Sequence, residues 1–110
     1  MLGLGGIKEK LEQAKLKAEA TKLRLDSVHV EGSSGEYVRV ISTANSRIVQ
    51  ILLNDEAKTF SAEELSRHTL VATNVALEKA RSINETEMAA VARATMPNIP
   101  GMPSLESMFK

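Results

Sequence analysis

The sequence predicts a small α+β domain of order α-β-β-β-α, with a small antiparallel sheet between two helices. Two long segments with the apolar spacing of helices enclose a middle segment in which apolar and polar residues alternate. The chain has 110 residues, which suits one hydrophobic core. Because so small a domain buries a limited part of its surface, we expect an oligomer to supply further burial.

The first predicted helix runs from Ile7 to about Asp26, a segment without Gly or Pro. Its apolar positions step by three and four residues, which is typical of a narrow, coiled-coil-like seam. The seam consists of Ile7, Leu11, Ala14, Ala18, Thr21 and Leu25. Three of the first six residues are glycine, so residues 1–6 are predicted to be a flexible N-terminus.

Three strands are predicted between residues 27 and 53. Residues 27–31 and 37–42 alternate in polarity, and the Gly-Ser-Ser-Gly segment at 32–35 is predicted to be the turn between them. Residues 47–53 form the third strand, with Val49, Ile51 and Leu53 on one face and Ile48, Gln50 and Leu52 on the other. We expect helices to cover one face of the sheet and a second subunit to cover the other.

The second predicted helix begins at Ser61, which has capping-box spacing to Glu64. No Gly or Pro follows before Pro97, so the helix could run about 30 residues, or about 45 Å. All three prolines of the chain lie in residues 96–110, which are predicted to be a flexible Pro/Met-rich tail. The single domain is therefore expected to span residues 7–95.

Composition excludes several classes of function. Fourteen Lys and Arg balance 14 Asp and Glu, so no global positive field is present. The absence of cysteine excludes disulfides, thiolate zinc sites and a cysteine nucleophile, and it suits the cytoplasm. No apolar run approaches the roughly 20 residues of a membrane span, and the N-terminus lacks the pattern of a signal peptide. We expect no membrane partner.

No residue pattern indicates catalysis or a cofactor. His29 and His68 have no second His or Cys at ligand spacing, so we interpret them as surface or capping residues and predict no metal site. Ser33 and Ser34 lie between glycines in a hairpin, which lacks the strand-to-helix context of a nucleophile elbow. The glycine-rich start has no preceding strand and no following Gly-Lys-Ser/Thr, so it is no phosphate-binding loop.

The local charge signal lies in the first helix. Six basic residues and three acidic ones give residues 7–25 a net charge of +3. The basic residues repeat every seven positions in two stripes that flank the apolar seam, Lys8, Lys15 and Lys22 in one and Lys10, Lys17 and Arg24 in the other. Such stripes can contact phosphates without reading bases. Alternatively, their stems cover the seam and their charges pair with acidic residues of the same helix.

Leu16 and Leu23 lie seven residues apart on the face of this helix opposite the seam. Two apolar side chains on a second face need a partner of their own. We expect them to pack within the chain, with contact to another chain as the alternative.

Several segments resemble the YbaB/EbfC family of nucleoid-associated proteins. They are LDSVHVEGSSG (25–35), VRV (38–40), TNVALEKA (73–80), NETEMA (84–89) and MPNIPGMP (96–103). The resemblance implies an α+β homodimer whose sheets associate at the centre and whose helices project as two arms. It also implies binding of double-stranded DNA with little sequence preference, an influence on nucleoid organisation or gene expression, and no enzymatic activity.

The resemblance assigns DNA contact to the helical arms. The positions here that can take this role are Lys8, Lys10, Lys15, Lys17, Lys22 and Arg24, and Arg81 and Arg93 of the second helix are weaker candidates. The competing hypothesis is a homodimeric protein-interaction module with negligible DNA affinity. In that case the apolar surface and the tail bind an unidentified protein partner, and the lysines serve solubility.

Overall fold

The computed structural model describes residues 2–95, and the side chains of residues 6–94. Its elements are α1 (Leu2–Leu25), β1 (His29–Ser34), β2 (Val38–Thr43), β3 (Ile48–Leu53), a 3-10 turn (Ala57–Thr59) and α2 (Ala62–Thr95). The predicted α-β-β-β-α order and the α+β class are confirmed. The predicted flexible tail, residues 96–110, lies outside the described residues.

Contacts divide the chain into two units. The first unit is residues 24–85, and the second consists of the described parts of residues 1–23 and 86–110. The sheet and the first two thirds of α2 belong to the first unit. Helix α1 begins at Leu2, five residues before the predicted start, so the segment predicted to be a loose lead-in is helical from residue 2 onward.

The sheet is antiparallel, in the order β1-β2-β3. Strand β1 continues through Gly32 to Ser34, which lies opposite Val38. The first hairpin turn is therefore residues 35–37, and the prediction that Gly32 begins the turn is wrong. Gly35 adopts a positive φ of 57°, the conformation for which the turn needs glycine.

The core of the first unit forms where α2 crosses β1 and β2. Val38 and Val40 of β2 are fully buried with Ala72 and Ala76 of α2. Gly32 lies beside Val40 in the sheet, and a Cβ on it would overlap the main-chain O of Ala72 and N of Ala76. The small residues on both elements therefore allow the helix backbone to contact the sheet backbone.

Strand β3 departs from strict alternation. The register between β2 and β3 shifts between Ile41 and Ser42, which places Ile48 opposite the buried Ser42 and against the core. The prediction that Ile48 shares a face with Gln50 is therefore wrong, because a bulge adds a residue to one strand and changes the face of the residues beyond it.

Helix α2 begins as predicted. The main-chain N of Glu64 donates to Ser61 Oγ at 3.1 Å, and Ser61 Oγ donates to Glu64 Oε1 at 3.3 Å. The first of these bonds engages one of the N–H groups that the first turn leaves unpaired, and the second joins the two side chains. The helix then continues for 34 residues, a little longer than predicted.

Polar side chains attach α2 to the second hairpin turn. Asn84 Nδ2 donates to the main-chain O of Ala44 at 3.2 Å and to Asn45 Oδ1 at 2.9 Å. Asn45 Nδ2 in turn donates to Asp26 Oδ1 at 2.6 Å. Inside the turn, Thr43 Oγ1 accepts from the main-chain N of Asn45 at 3.2 Å. One asparagine of the NETEMA segment thus holds a turn that is 39 residues distant in sequence.

The predicted seam of α1 is buried toward its C-terminal end. Leu25 is fully buried, and Ala14, Ala18 and Thr21 are half-buried. Ile7 and Leu11 are more than half exposed. The prediction is therefore confirmed for the later part of the seam and not for its first two residues.

Candidate nucleic-acid interface

All six basic side chains predicted to contact DNA are exposed on α1. Because α1 is one continuous helix, a repeat of seven residues turns about 700°, within about 20° of two full turns. The cations of one stripe therefore lie on one side of the helix, about 10.5 Å apart. The sequence-predicted spacing exists in the structure as two lines of exposed positive charge.

The two stripes have different neighbours. Glu12 lies four residues after Lys8, and Glu19 lies four residues after Lys15, so these carboxylates occupy adjacent positions on the helix surface. We call Lys8, Lys15 and Lys22 the acid-flanked stripe. Within the described part of α1, neither pair closes to an ion-pair distance of 4 Å, so local pairing does not engage Lys8 or Lys15.

The other stripe, Lys10, Lys17 and Arg24, has no acidic residue three or four positions away on either side. The corresponding neighbours of Lys17 are Gln13, Ala14, Ala20 and Thr21. We call this set the acid-free stripe.

Several cations of residues 24–85 are engaged by nearby acceptors. Arg39 Nε lies 3.3 Å from Glu31 Oε1, and Lys79 Nζ donates to the main-chain O of Glu31 at 2.8 Å. Lys58 Nζ lies 3.3 Å from Asp55 Oδ1. The sequence carries no signal for the Lys79 contact, because its acceptor is a backbone carbonyl of an edge strand 48 residues away.

The weaker candidates on α2 are also exposed, at Arg81 and Arg93. Residues 61–95 carry four basic and five acidic side chains. This helix therefore offers a phosphate backbone no net attraction, in contrast to α1.

Leu16 and Leu23 are 64% and 72% exposed. The prediction that they pack within the chain is wrong, because nothing in the described residues covers them. The alternative, contact with another chain, stays a prediction.

The half-buried His68 is part of a polar and aromatic cluster in the first unit. Its Nδ1 is hydrogen-bonded to Ser34 Oγ at 2.7 Å, and its ring stacks on Phe60 at 5.2 Å and meets the edge of Tyr37 at 5.1 Å. The interpretation of His68 as a surface or capping residue is wrong, whereas His29 is exposed as predicted. No local sequence pattern joins these residues, since Ser34 and His68 are 34 positions apart.

This cluster contains a hydrogen-bonded serine and histidine, as in a catalytic triad, but the carboxylate of a triad is missing. In the described part of the chain no carboxylate hydrogen-bonds to His68, although a serine nucleophile needs a group that orients its histidine. The shared hydrogen bond and the ring contacts give the cluster a structural role in joining β1 to α2.

A surface pocket of about 520 Å³ lies beside β1 and β3. Its charged lining consists of the carboxylates of Glu31 and Glu36 and the guanidinium of Arg39, which already pairs with Glu31. A pocket with this net negative lining does not suit a phosphate.

Among residues 2–95, no three His, Asp or Glu side chains gather as metal ligands would. Neither of the two helices is apolar enough over a sufficient length to cross a bilayer.

An α-β-β-β-α chain with exposed heptad-spaced cations on its first helix is a candidate DNA-binding protein by fold and by surface charge. The sequence model of the YbaB/EbfC DNA-binding family matches residues 1–96, and the chain belongs to this family. It is also 38% identical over 104 residues to a nucleoid-associated protein of Flavobacterium johnsoniae, which covers 94% of this chain and 98% of the relative. The matched family is a DNA-binding one.

Proposed function

We propose that this protein binds double-stranded DNA with little sequence preference, through phosphate contacts from the basic side chains of α1. The contacts are drawn from Lys8, Lys10, Lys15, Lys17, Lys22 and Arg24. The observation that carries the proposal is the exposed, heptad-spaced charge of this helix in a member of a DNA-binding family. The protein acts in the cytoplasm at the nucleoid, where it influences DNA organisation and gene expression.

The proposed binding is weak and depends strongly on salt. The net charge of the chain is zero, so attraction comes from the local +3 of residues 7–25 and not from a global field. Phosphate contacts release counterions, and the affinity therefore falls steeply as salt rises. We expect a Kd that is roughly micromolar or weaker at physiological salt. No cofactor and no catalytic residue takes part.

Fluorescence anisotropy of short labelled duplexes tests this function with the full chain. The protein is titrated at low and at near-physiological salt against two duplexes of unrelated sequence and equal length. Saturable binding with similar Kd values for both duplexes, and with a steep salt slope, supports the proposal. Absence of binding at low salt, or binding to one duplex alone, contradicts it.

A homodimer is the proposed assembly, with strand β3 at the contact. Strand β3 is an edge of the sheet, and its Val49, Ile51 and Leu53 are 46%, 50% and 38% exposed. An apolar edge strand that stays uncovered is prone to association. At the opposite edge, the ammonium group of Lys79 donates a hydrogen bond to the main-chain O of Glu31 in β1. These features favour a second copy at β3 over one at β1.

Sedimentation equilibrium measures this assembly directly. The wild type is expected at twice the chain mass of 11.9 kDa, and Ile51→Lys is expected to shift the population toward a single chain. Ser82→Lys adds the same charge at an exposed position of α2 and serves as the control. A single-chain mass for the wild type, or equal effects of the two lysines, would refute the proposed contact.

The second candidate function is a protein-interaction module with negligible DNA affinity. It is favoured by one observation, the exposure of Leu16 and Leu23 on α1. Its partner would cover these leucines, and the tail of residues 96–110 would add to the contact. The anisotropy titration separates the two candidates, since this one predicts no binding to either duplex at low salt.

A further inference from the structure

The two basic stripes of α1 cannot serve one duplex equally. At about 100° per residue, Lys8 and Lys10 lie about 200° apart around the helix, and so do Lys15 and Lys17. A helix is about 10–12 Å wide with its side chains, so a duplex that lies along one side meets one stripe and leaves the other facing away.

The acid-free stripe is the better partner for phosphates. Lys15 lies three residues after Glu12 and four before Glu19, so a phosphate that approaches Lys15 also approaches two carboxylates. Lys8 has Glu12 as its neighbour in the same way. Over residues 8–19, the two lysines and the two glutamates of this stripe cancel, so the net charge of this part of the surface is zero.

The corresponding surface around Lys10 and Lys17 contains no acidic residue at the neighbouring helix positions. Its net charge is therefore +2 over the same length of helix. Lys10 and Lys17 are spaced by seven residues, about 10.5 Å along the helix axis. Both side chains are long and exposed on one side of the helix, so both can reach phosphates of the same duplex.

We propose that α1 binds DNA with one side, on which Lys10 and Lys17 contact the phosphates, and that Lys8 and Lys15 face away from the duplex. This inference rests on the proposed DNA-binding function and adds the orientation of the helix on the duplex. The acidic residues Glu12 and Glu19 then act as selectors, because they repel phosphates from the opposite side.

Two matched double variants test the orientation in the full chain. Lys10→Gln with Lys17→Gln and Lys8→Gln with Lys15→Gln each remove two charges from exposed positions of the same helix. By anisotropy, the first pair is expected to weaken binding at least about tenfold at low salt and, across a series of salt concentrations, to lower the salt slope by about 2. The second pair is expected to change Kd by less than about twofold.

A third variant, Glu12→Gln with Glu19→Gln, tests the role of the acidic residues. It is expected to tighten binding, because it leaves the acid-flanked stripe with a net positive surface. Circular dichroism confirms that each variant keeps its helix content before it is titrated.

The outcomes separate this inference from the function on which it rests. Equal weakening by the two lysine pairs, or a larger loss from Lys8 and Lys15, overturns the orientation while the DNA-binding function stands. A wild type that shows no salt-dependent binding overturns both.

Discussion

The first unit and helix α1 use their residues in opposite ways. In residues 24–85, α2 contacts the sheet backbone at Gly32. Side chains form hydrogen bonds with backbone groups at the start of α2 and at the second hairpin turn. In the part of α1 up to Leu23, all the charged side chains of residues 8–22 and the leucines at 16 and 23 are exposed. The first region depends on close packing, whereas the second presents a charged and apolar surface.

Substitutions in the two regions should therefore affect different properties of the protein. A methyl group added at the close contact in the first unit has no room, so such a substitution should mainly lower the free energy of unfolding. A change of charge on α1 alters what the surface attracts, so binding is the sensitive quantity. Measurements of both quantities on the same variants test this division.

The largest expected effect on stability comes from Gly32→Ala. The added Cβ would overlap the Ala72 carbonyl and the Ala76 N and lie 2.9 Å from Ala76 Cα, so α2 must move away from the sheet. We expect the free energy of unfolding to fall by about 3 kcal/mol. Urea unfolding at a fixed protein concentration measures it.

Gly6→Ala is the matched control on α1. A Cβ at this position meets nothing within 4 Å, and alanine is the better helix former, so stability should stay equal or rise by up to about 1 kcal/mol. Similar unfolding curves for the two glycine variants would show that α2 does not need its close contact with β1.

The next effect is expected from Asn84→Ala. It removes two hydrogen bonds to the second hairpin turn and leaves the carbonyl of the buried Ala44 without this donor, at a cost of about 1–2 kcal/mol. Asn74→Ala, at an exposed position of the same helix, should change stability by less than about 0.5 kcal/mol. Thermal unfolding of both variants measures the difference. A loss of stability no greater than that of the control would show that Asn84 does not hold the second hairpin turn to α2.

A smaller effect is expected at the start of α2. Ser61→Ala removes the acceptor of the Glu64 N–H and should lower the free energy of unfolding by about 1 kcal/mol. Ser82→Ala lies on the exposed surface of the same helix and should be close to neutral. Urea unfolding compares them, and a neutral Ser61→Ala would argue that water replaces the cap.

The smallest expected effect on stability comes from Lys10→Gln with Lys17→Gln. Both side chains are exposed, so the free energy of unfolding should change by less than about 0.5 kcal/mol. The same protein should lose at least about tenfold in DNA affinity. Destabilisation by more than 1 kcal/mol would instead favour the hypothesis that the lysine stems cover the helix seam, and the contrast between the two regions would fail.

Local patterns predicted most of the elements in this chain. Strand β2 was predicted from the alternation at Val38 and Val40, the start of α2 from the Ser61 to Glu64 spacing, and its length from the absence of Pro before residue 97. These patterns reflect interactions within a few residues, and the predicted elements are confirmed. The heptad spacing of the six cations is a property of the sequence that a helix converts directly into stripes. Their role at a phosphate backbone stays a prediction.

Interactions between distant residues were decided by the tertiary structure. Gly32 is of a residue type common in turns, but it lies in β1 opposite Val40, where a Cβ would overlap the backbone of α2. The register shift at Ile41 and Ser42 moved Ile48 to the core, and no sequence period contains such a shift. His68 and Ser34 met because α2 packs on β1, and the exposure of Leu16 and Leu23 depends on what the rest of the chain leaves uncovered.

The sequence by itself determined the order of helices and strands, the cap of α2, the resemblance to the YbaB/EbfC family and the positions of charge on α1. These features depend on backbone periodicity and local hydrogen bonding, which act over a few residues. The tertiary structure alone decided the glycine contact, the strand register, the histidine cluster and the uncovered leucines. These depend on which surfaces meet, and close packing selects among partners that local composition leaves equivalent.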